Sequence, residues 1–275
     1  TPDSYAQFRA LSDGGVAVGA TFRTPVTPVG EVDQYALPAQ WTSGQTAQAL
    51  PVPANYRGGL AIALNSRNDV VGEVYSPGTL MPRAALWQQG QVSLLDTPAD
   101  QGSYALGISE LGHVLVATHP YSLEVRMRDS TTQRPISTLI TVGLENYVVL
   151  YNGQRYALNC PSNLPQPFVS GISANGLAVG QCVPRQTENT YGFYYGSNAT
   201  EIHTGVHQFI PGGRAYVWRD GVATELAGLL SSKGVKLATG LVLNHVMGVN
   251  ANGTLVVVTT DGAGKQGLMR FTAKP

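Results

Sequence analysis

The sequence predicts an all-β protein, a β-propeller of five blades with mostly four short antiparallel strands in each. Three observations carry that expectation. A turn unit recurs five times, a second unit of an aromatic residue followed by a turn glycine recurs behind it, and no long helical pattern competes. The 32 Gly and 17 Pro among 275 residues supply the turns that so many short strands need.

The first unit reads apolar residue, small polar residue, variable residues, Gly, then an apolar stretch. It begins at Leu11-Ser12, Leu64-Asn65, Ile108-Ser109, Ile172-Ser173 and Val249-Asn250. Its aligned turn positions are Gly15, Asn68, Gly112, Gly176 and Gly253. Gly and Asn are the residues that tolerate positive φ, so Asn68 is a coherent replacement. The second unit appears as Trp41-Thr42-Ser43-Gly44, Trp87-Gln88-Gln89-Gly90 and Trp218-Arg219-Asp220-Gly221, with a shortened form at Tyr151-Asn152-Gly153. Phe271 holds the aromatic place in the last repeat. Two hairpins per repeat are the composition of a propeller blade. Recurrence favours packing between blades as the role of these aromatics, since every blade needs the same filler.

Successive turn positions are 53, 44, 64 and 77 residues apart, so the later repeats carry insertions. The third expands around Ser122 to Asn146 and the fourth around Pro184 to Gly213. Long excursions from a regular scaffold are where binding residues reside. The last repeat stops four residues beyond Phe271, and Tyr5 to Ala10 is a candidate to supply its fourth strand. A β-sandwich or solenoid of the same hairpins is the alternative architecture. Leu226 to Gly240 can form one short turn of helix, weakened by Gly228 and Gly234. The whole of 1–275 reads as one repeat-built domain.

The unit Leu64-Asn65 through Val70-Val71-Gly72, followed by Ala85, Trp87 and Gly90, resembles the bacterial extracellular family called HAF repeats. The match spans almost the full length in degenerate form: Ala117 lies near the second-glycine position of the third repeat, and Val257 occupies it in the fifth. The resemblance implies a β-propeller-like architecture and a secreted protein. It brings no catalytic residues.

Charge narrows the partners. Lys+Arg and Asp+Glu number 17 each, and charged residues make up 12%, about half the usual share of roughly 25%. That balance excludes a generally basic nucleic-acid-binding surface. No apolar run reaches the ~18 residues of a membrane-spanning helix, so no transmembrane segment is expected. A chain opening Thr1-Pro2-Asp3-Ser4 reads as a processed protein or a cut piece. Cys160 and Cys182 are expected to form a structural disulfide in a secreted, extracellular or periplasmic setting, with two unpaired buried thiols as the alternative.

The most distinctive unrepeated stretch is Thr190 to Gly196, where Tyr191, Phe193, Tyr194 and Tyr195 interrupt polar sequence. They form either a half-buried strand or an aromatic platform for a sugar ring or polypeptide, with Thr187, Glu188, Asn189 and Glu201 as a polar rim. His203 and His207 have the spacing of metal ligands only on a helix, which Gly205 opposes, so no metal site is expected. His113, His119 and His245 offer no persuasive base. No nucleophile elbow, Walker loop or dinucleotide fingerprint is present. Asp33, Glu73, Glu110, Glu124 and Glu201 are the pieces from which an acid pair would have to be drawn. No cofactor is expected: Asp13-Gly14, Asn175-Gly176, Asp220-Gly221, Asn252-Gly253 and Asp261-Gly262 offer oxygen ligands for structural calcium, but each is better explained as a turn. Asn198 and Asn252 meet the N-glycosylation pattern. The leading functional expectation is a secreted, non-enzymatic module that recognises an extracellular glycan or protein through its insertions. A structural or interaction propeller without a small ligand comes second, and an extracellular glycan-active hydrolase or lyase third.

Overall fold

The computed structural model describes residues 5–23, 35–56, 58–75, 82–95, 101–119, 121–128, 135–142, 145–184 and 212–272. Each recurring unit becomes a sheet. The first comprises β1 (Tyr5–Leu11), β2 (Val16–Arg23), β3 (Tyr35–Thr42) and β4 (Gln48–Ala49). The second comprises β5 (Gly59–Leu64), β6 (Val70–Tyr75), β7 (Pro82–Gln88) and β8 (Gln91–Leu94). The third opens with β9 (Gly102–Ile108) and β10 (Val114–His119). A separate hairpin of β11 (Tyr121–Arg128) and β12 (Pro135–Val142) is inserted before the sheet resumes with β13 (Asn146–Tyr151) and β14 (Gln154–Ala157). The fourth comprises β15 (Gln166–Ile172), β16 (Ala178–Val183), β17 (Arg214–Arg219) and β18 (Val222–Glu225). A short helix, α1 (Leu226–Ser232), leads to a three-stranded fifth sheet of β19 (Val242–Val249), β20 (Leu255–Thr260) and β21 (Gln266–Phe271). Strands pair antiparallel with their neighbours in every sheet.

The polar residue opening each turn unit explains why the turn forms there. The side-chain oxygens of Ser12, Asn65, Ser109, Ser173 and Asn250 accept the backbone N–H four residues on, at 3.2, 3.0, 2.9, 3.0 and 2.9 Å. This local bond satisfies an amide that the first-to-second-strand hairpin leaves free. All five first strands carry a bulge, between Phe8 and Ala10, Ala61 and Ala63, Ala105 and Gly107, Val169 and Gly171, and Val246 and Gly248. In the second sheet a carbonyl approaches Gly72 so closely that a Cβ there would lie 2.0 Å from the oxygen of Leu60.

Because successive side chains on a strand point to opposite faces, each middle sheet presents apolar residues to both of its neighbours. Val18, Val71, Leu115 and Val179 occupy one repeat position, are fully buried, and face the following sheet. Pro38, Ala84, Tyr147 and Ala215, at a shared position on the third strand of each sheet, are buried on the same face. The opposite face meets the preceding sheet. There Ala61, Ala105, Val169 and Val246 are buried on the first strands of sheets two to five. Trp87 and Trp218 fill the same interfaces, and their indole N–H groups donate to the carbonyls of Pro51 at 2.7 Å and Asn159 at 2.9 Å. The packing role expected of these two tryptophans is therefore the observed one.

The propeller expectation does not hold. Five sheets closed into a ring would have five interfaces, whereas the described residues build four hydrophobic cores, joining sheets one to two, two to three, three to four and four to five. No core joins the fifth sheet to the first among the described residues, and no sheet is closed or strongly curled. The sheets form an open row. Apolar residues stand exposed at its two ends: Phe8 and Leu11 on β1 are 61% and 72% exposed, and Leu268 on β21 is 71% exposed. Tyr5–Leu11 pairs with β2 as the first strand of the first sheet, and does not complete the last.

The aromatic alignment also needs one correction. Trp41, Trp87, Trp218 and Phe271 pair with Ala17, Val70, Ala178 and Leu255, but the residue opposite Val114 is Leu150. Tyr151 lies one place further on and stacks on His113, with ring centroids 3.7 Å apart.

The disulfide Cys160–Cys182 is formed, with its Cα atoms 5.8 Å apart. It ties the segment after β14 to the fully buried end of β16, and so joins the third and fourth sheets.

Candidate functional site

The hairpin turns between first and second strands of all five sheets, and those between third and fourth strands of the first four, lie at the same end of their sheets. Together they make a rim of polar residues along the row. Turn-to-turn bonds hold it in register. The Ser66 amide donates to the Glu110 carboxylate at 3.1 and 3.2 Å, and the Ser66 hydroxyl donates to the same group. Arg67 donates to the Glu110 carbonyl, Asn65 to the Ser109 carbonyl at 3.3 Å, and the Glu110 amide to the Ala174 carbonyl at 3.0 Å.

A notch of about 430 Å³ lies on this rim between the first and second sheets. It is lined by Gln40 of β3, Arg67, Asn68 and Asp69 of the β5–β6 turn, and Gln88, Gln89 and Gly90 of the β7–β8 turn. Two of its backbone positions are unusual, since Asn68 and Gln89 have φ of 62° and 51°. That conformation is uncommon for residues with a side chain and is sustained here by the hairpin turns. A smaller concavity of about 280 Å³ shares Asp69, Gln88 and Gln89 and continues along β8 to Ser93.

Asp69 anchors the notch. Its Oδ2 accepts from Asn65 at 2.9 Å and from the Arg67 Nε and Nη2 at 3.0 and 2.8 Å. Burial pushes its carboxyl up, but the hydrogen bonds from Asn65 and Arg67, the Arg67 charge and a bond from Gln88 outweigh it and hold the pKa below the usual aspartate value. The carboxylate is thus ionised and already engaged. Around it three glutamine amides offer both donors and acceptors.

Farther along the rim, His113 stacks on Tyr151 and lies 3.0 Å from the Ser109 hydroxyl through Nδ1. This is not a nucleophile and base. Ser109 is fully buried and its oxygen already accepts the His113 amide. Burial pushes the His113 imidazole down, Asp220 opposes that and Arg219 adds to it, so the ring is held neutral as packing. Gly176 completes the arrangement: a Cβ there would lie 2.7 Å from the His113 ring.

Carboxylates and phenols meet at two places away from the rim. Tyr75 donates to Glu73 at 2.8 Å. Tyr104 donates to Glu145 at 2.7 Å, and Tyr147 donates to the other oxygen of that carboxylate. Burial pushes the Glu73 carboxyl up, with Tyr75 and Arg9 opposing; burial and then Glu145 push the Tyr147 phenol up. Each carboxylate is matched with tyrosines.

Of the acids expected to supply such a pair, Glu110 is spent on the rim, Glu124 lies on β11, and Asp33 and Glu201 fall outside the described residues. The aromatic candidates Tyr191, Phe193, Tyr194 and Tyr195 also lie outside them, as do Thr187, Glu188, Asn189, Asn198, His203 and His207. Among the described residues, no group of three or more His, Cys, Asp or Glu is placed to hold a metal ion. No helix there is long and apolar enough to cross a membrane.

In the sequence Arg67 lies in the first turn unit of the second repeat and Gln88-Gln89 in its second unit, and no motif links them. The signal that places them together is the pairing of the two turn units at one end of a sheet: Asn65 to Asp69 and Gln88 to Gly90 flank strands that are hydrogen-bonded neighbours.

No family model matches the chain and no curated protein is significantly similar to it. The likeness to HAF repeats is therefore withdrawn, along with the propeller architecture it implied.

Proposed function

We propose that this chain is a non-enzymatic interaction module that binds a hydroxyl-rich glycan at the rim, in an oxidising, extracytoplasmic compartment. The observation that carries the reading is the notch lined by Gln40, Gln88, Gln89 and Asp69 with Arg67 beside it. Amide side chains supply paired donors and acceptors, which suit vicinal hydroxyls, and the one carboxylate there is ionised and acceptor-only. The Cys160–Cys182 bridge supports the compartment. The aromatic stretch Tyr191, Phe193, Tyr194 and Tyr195, with Glu201, is proposed as a second contact, a stacking platform on the β16–β17 insertion.

The test is a glycan array followed by calorimetric titration of the best-bound sugar. A Gln40→Ala/Gln88→Ala double variant removes two side-chain partners, each worth about 1 kcal/mol, and is expected to weaken binding by roughly tenfold or more. Unchanged affinity in that variant overturns the notch as the site. Deleting 185–211 separates the second contact from the first: full retention of binding after that deletion removes the aromatic platform. An array with no bound glycan overturns the ligand class.

A protein partner is the second reading, and the bare apolar faces at the two ends of the row favour it.

A further inference from the structure

The row ends in two exposed apolar faces. Val256 and Leu268 of the fifth sheet occupy the positions that face the following sheet everywhere else, where their counterparts are buried. Here they are 39% and 71% exposed, and Met247, at the bulge of β19, extends the same face at 56%. At the other end, Phe8 and Leu11 occupy the first-strand positions that seat every other sheet on its predecessor. Among the described residues, one face lacks a following sheet and the other a preceding one.

We propose that the chain assembles head to tail with a second copy of itself, the bare face of the fifth sheet in one copy receiving β1 of the next. This goes beyond the glycan reading and does not depend on it. The occupant follows from continuity with the internal interfaces. At three of them the incoming first strand, β5, β9 or β19, lies across three strands of the sheet before it. What fits the fifth sheet is therefore another bulged first strand with apolar residues at two set positions. The described residues include five such strands, of which four are used, and the fifth is β1. It has the same bulge, between Phe8 and Ala10, and carries Phe8 and Leu11 at the two positions. A formal net charge of zero leaves no long-range repulsion between copies. The contact joins two different surfaces, so each added copy leaves one of each unfilled, and growth continues beyond a dimer or ends in a ring of copies.

Sedimentation velocity on the 275-residue chain tests this with two substitutions at exposed positions, Phe8→Asp and Leu268→Asp. Wild type is expected to rise from the 29.1 kDa monomer to species larger than a dimer as concentration increases. Each variant alone has lost one half of the contact and stays monomeric, its association weakened by about 100-fold or more through the buried carboxylate. Mixed in equal amounts, the variants still offer one intact face each, and a one-to-one dimer forms with nothing larger. Circular dichroism and cooperative unfolding at high dilution verify that both variants fold. A wild type that stays monomeric throughout, a variant that assembles alone, or a mixture that stays monomeric each overturns the proposal. Monomeric wild type with Phe8 and Leu268 protected from solvent does so by placing the two faces against each other within one chain.

Discussion

Val179 and Val256 occupy the same repeat position in adjacent sheets, yet one is completely buried and the other 39% exposed. Truncating each to alanine isolates the effect of the missing neighbour. At Val179 two methyl groups leave a dry core shared with Leu243, Val246 and Leu255. Transfer at about 0.8 kcal/mol per methylene contributes roughly 1.6 kcal/mol, and the space left behind adds about 1 kcal/mol. At Val256 water fills the space and only part of the side chain was buried, so the loss is about 0.5–1 kcal/mol. The expected difference is about 1.5–2 kcal/mol in favour of Val256→Ala. Urea unfolding followed by tryptophan fluorescence reads it as a lower midpoint for Val179→Ala, with slopes unchanged. The measurement belongs at high dilution, where association between copies contributes least. Equal losses, within about 0.5 kcal/mol, would refute the reasoning, because the fifth sheet would then be as well covered as the fourth.

Three further outcomes follow from particular contacts. Replacing both Cys160 and Cys182 by alanine is expected to cost roughly 3 kcal/mol, the chain-entropy value for a loop of this size, read from unfolding midpoints; intact mass rising by about 2 Da on reduction verifies the bridge, and two freely alkylated thiols without reduction reject it. Gly176→Ala forces a side chain onto a backbone at φ +81° and against the His113 ring, and should cost about 1–3 kcal/mol, visible as a lower Tm and a shifted His113 ring resonance; a neutral substitution would dismiss the crowding. Asp69→Asn removes a carboxylate whose folded pKa is depressed, so the wild-type advantage should be complete above the unfolded value of about 3.9 and disappear as pH falls through the folded value. Urea midpoints at pH 7 and pH 3 read this, and an advantage that persists undiminished in acid contradicts it.

The strands were legible because each turn unit carries its own mechanism. Ser12, Asn65, Ser109, Ser173 and Asn250 bond the amide four residues on, so the sequence pattern and the hairpin are the same fact. The third repeat misleads because Tyr151 is the aromatic nearest Gly153. Counting three residues back from each turn glycine leads to Trp41, Trp87 and Trp218, and in the third repeat to Leu150. Closure was not legible at all. Val256 is as apolar as Val179, and a strand pattern reads the same whether its outer face meets a sheet or water. Nor was the notch, since Arg67 and Gln88 are brought together by the pairing of β6 with β7 and by no local signal. The disulfide needed only the compartment argument and two cysteines.

The open row is tested most directly by hydroxyl-radical footprinting of the wild-type chain at high dilution, read residue by residue by mass spectrometry. Phe8, Met247 and Leu268 should react as exposed side chains, while Tyr147 and Trp218, inside the third-to-fourth interface, stay protected. Protection of Phe8, Met247 and Leu268 to the same degree as Tyr147 and Trp218 at every dilution would mean that the first and fifth sheets are in contact within one molecule, and would contradict the account.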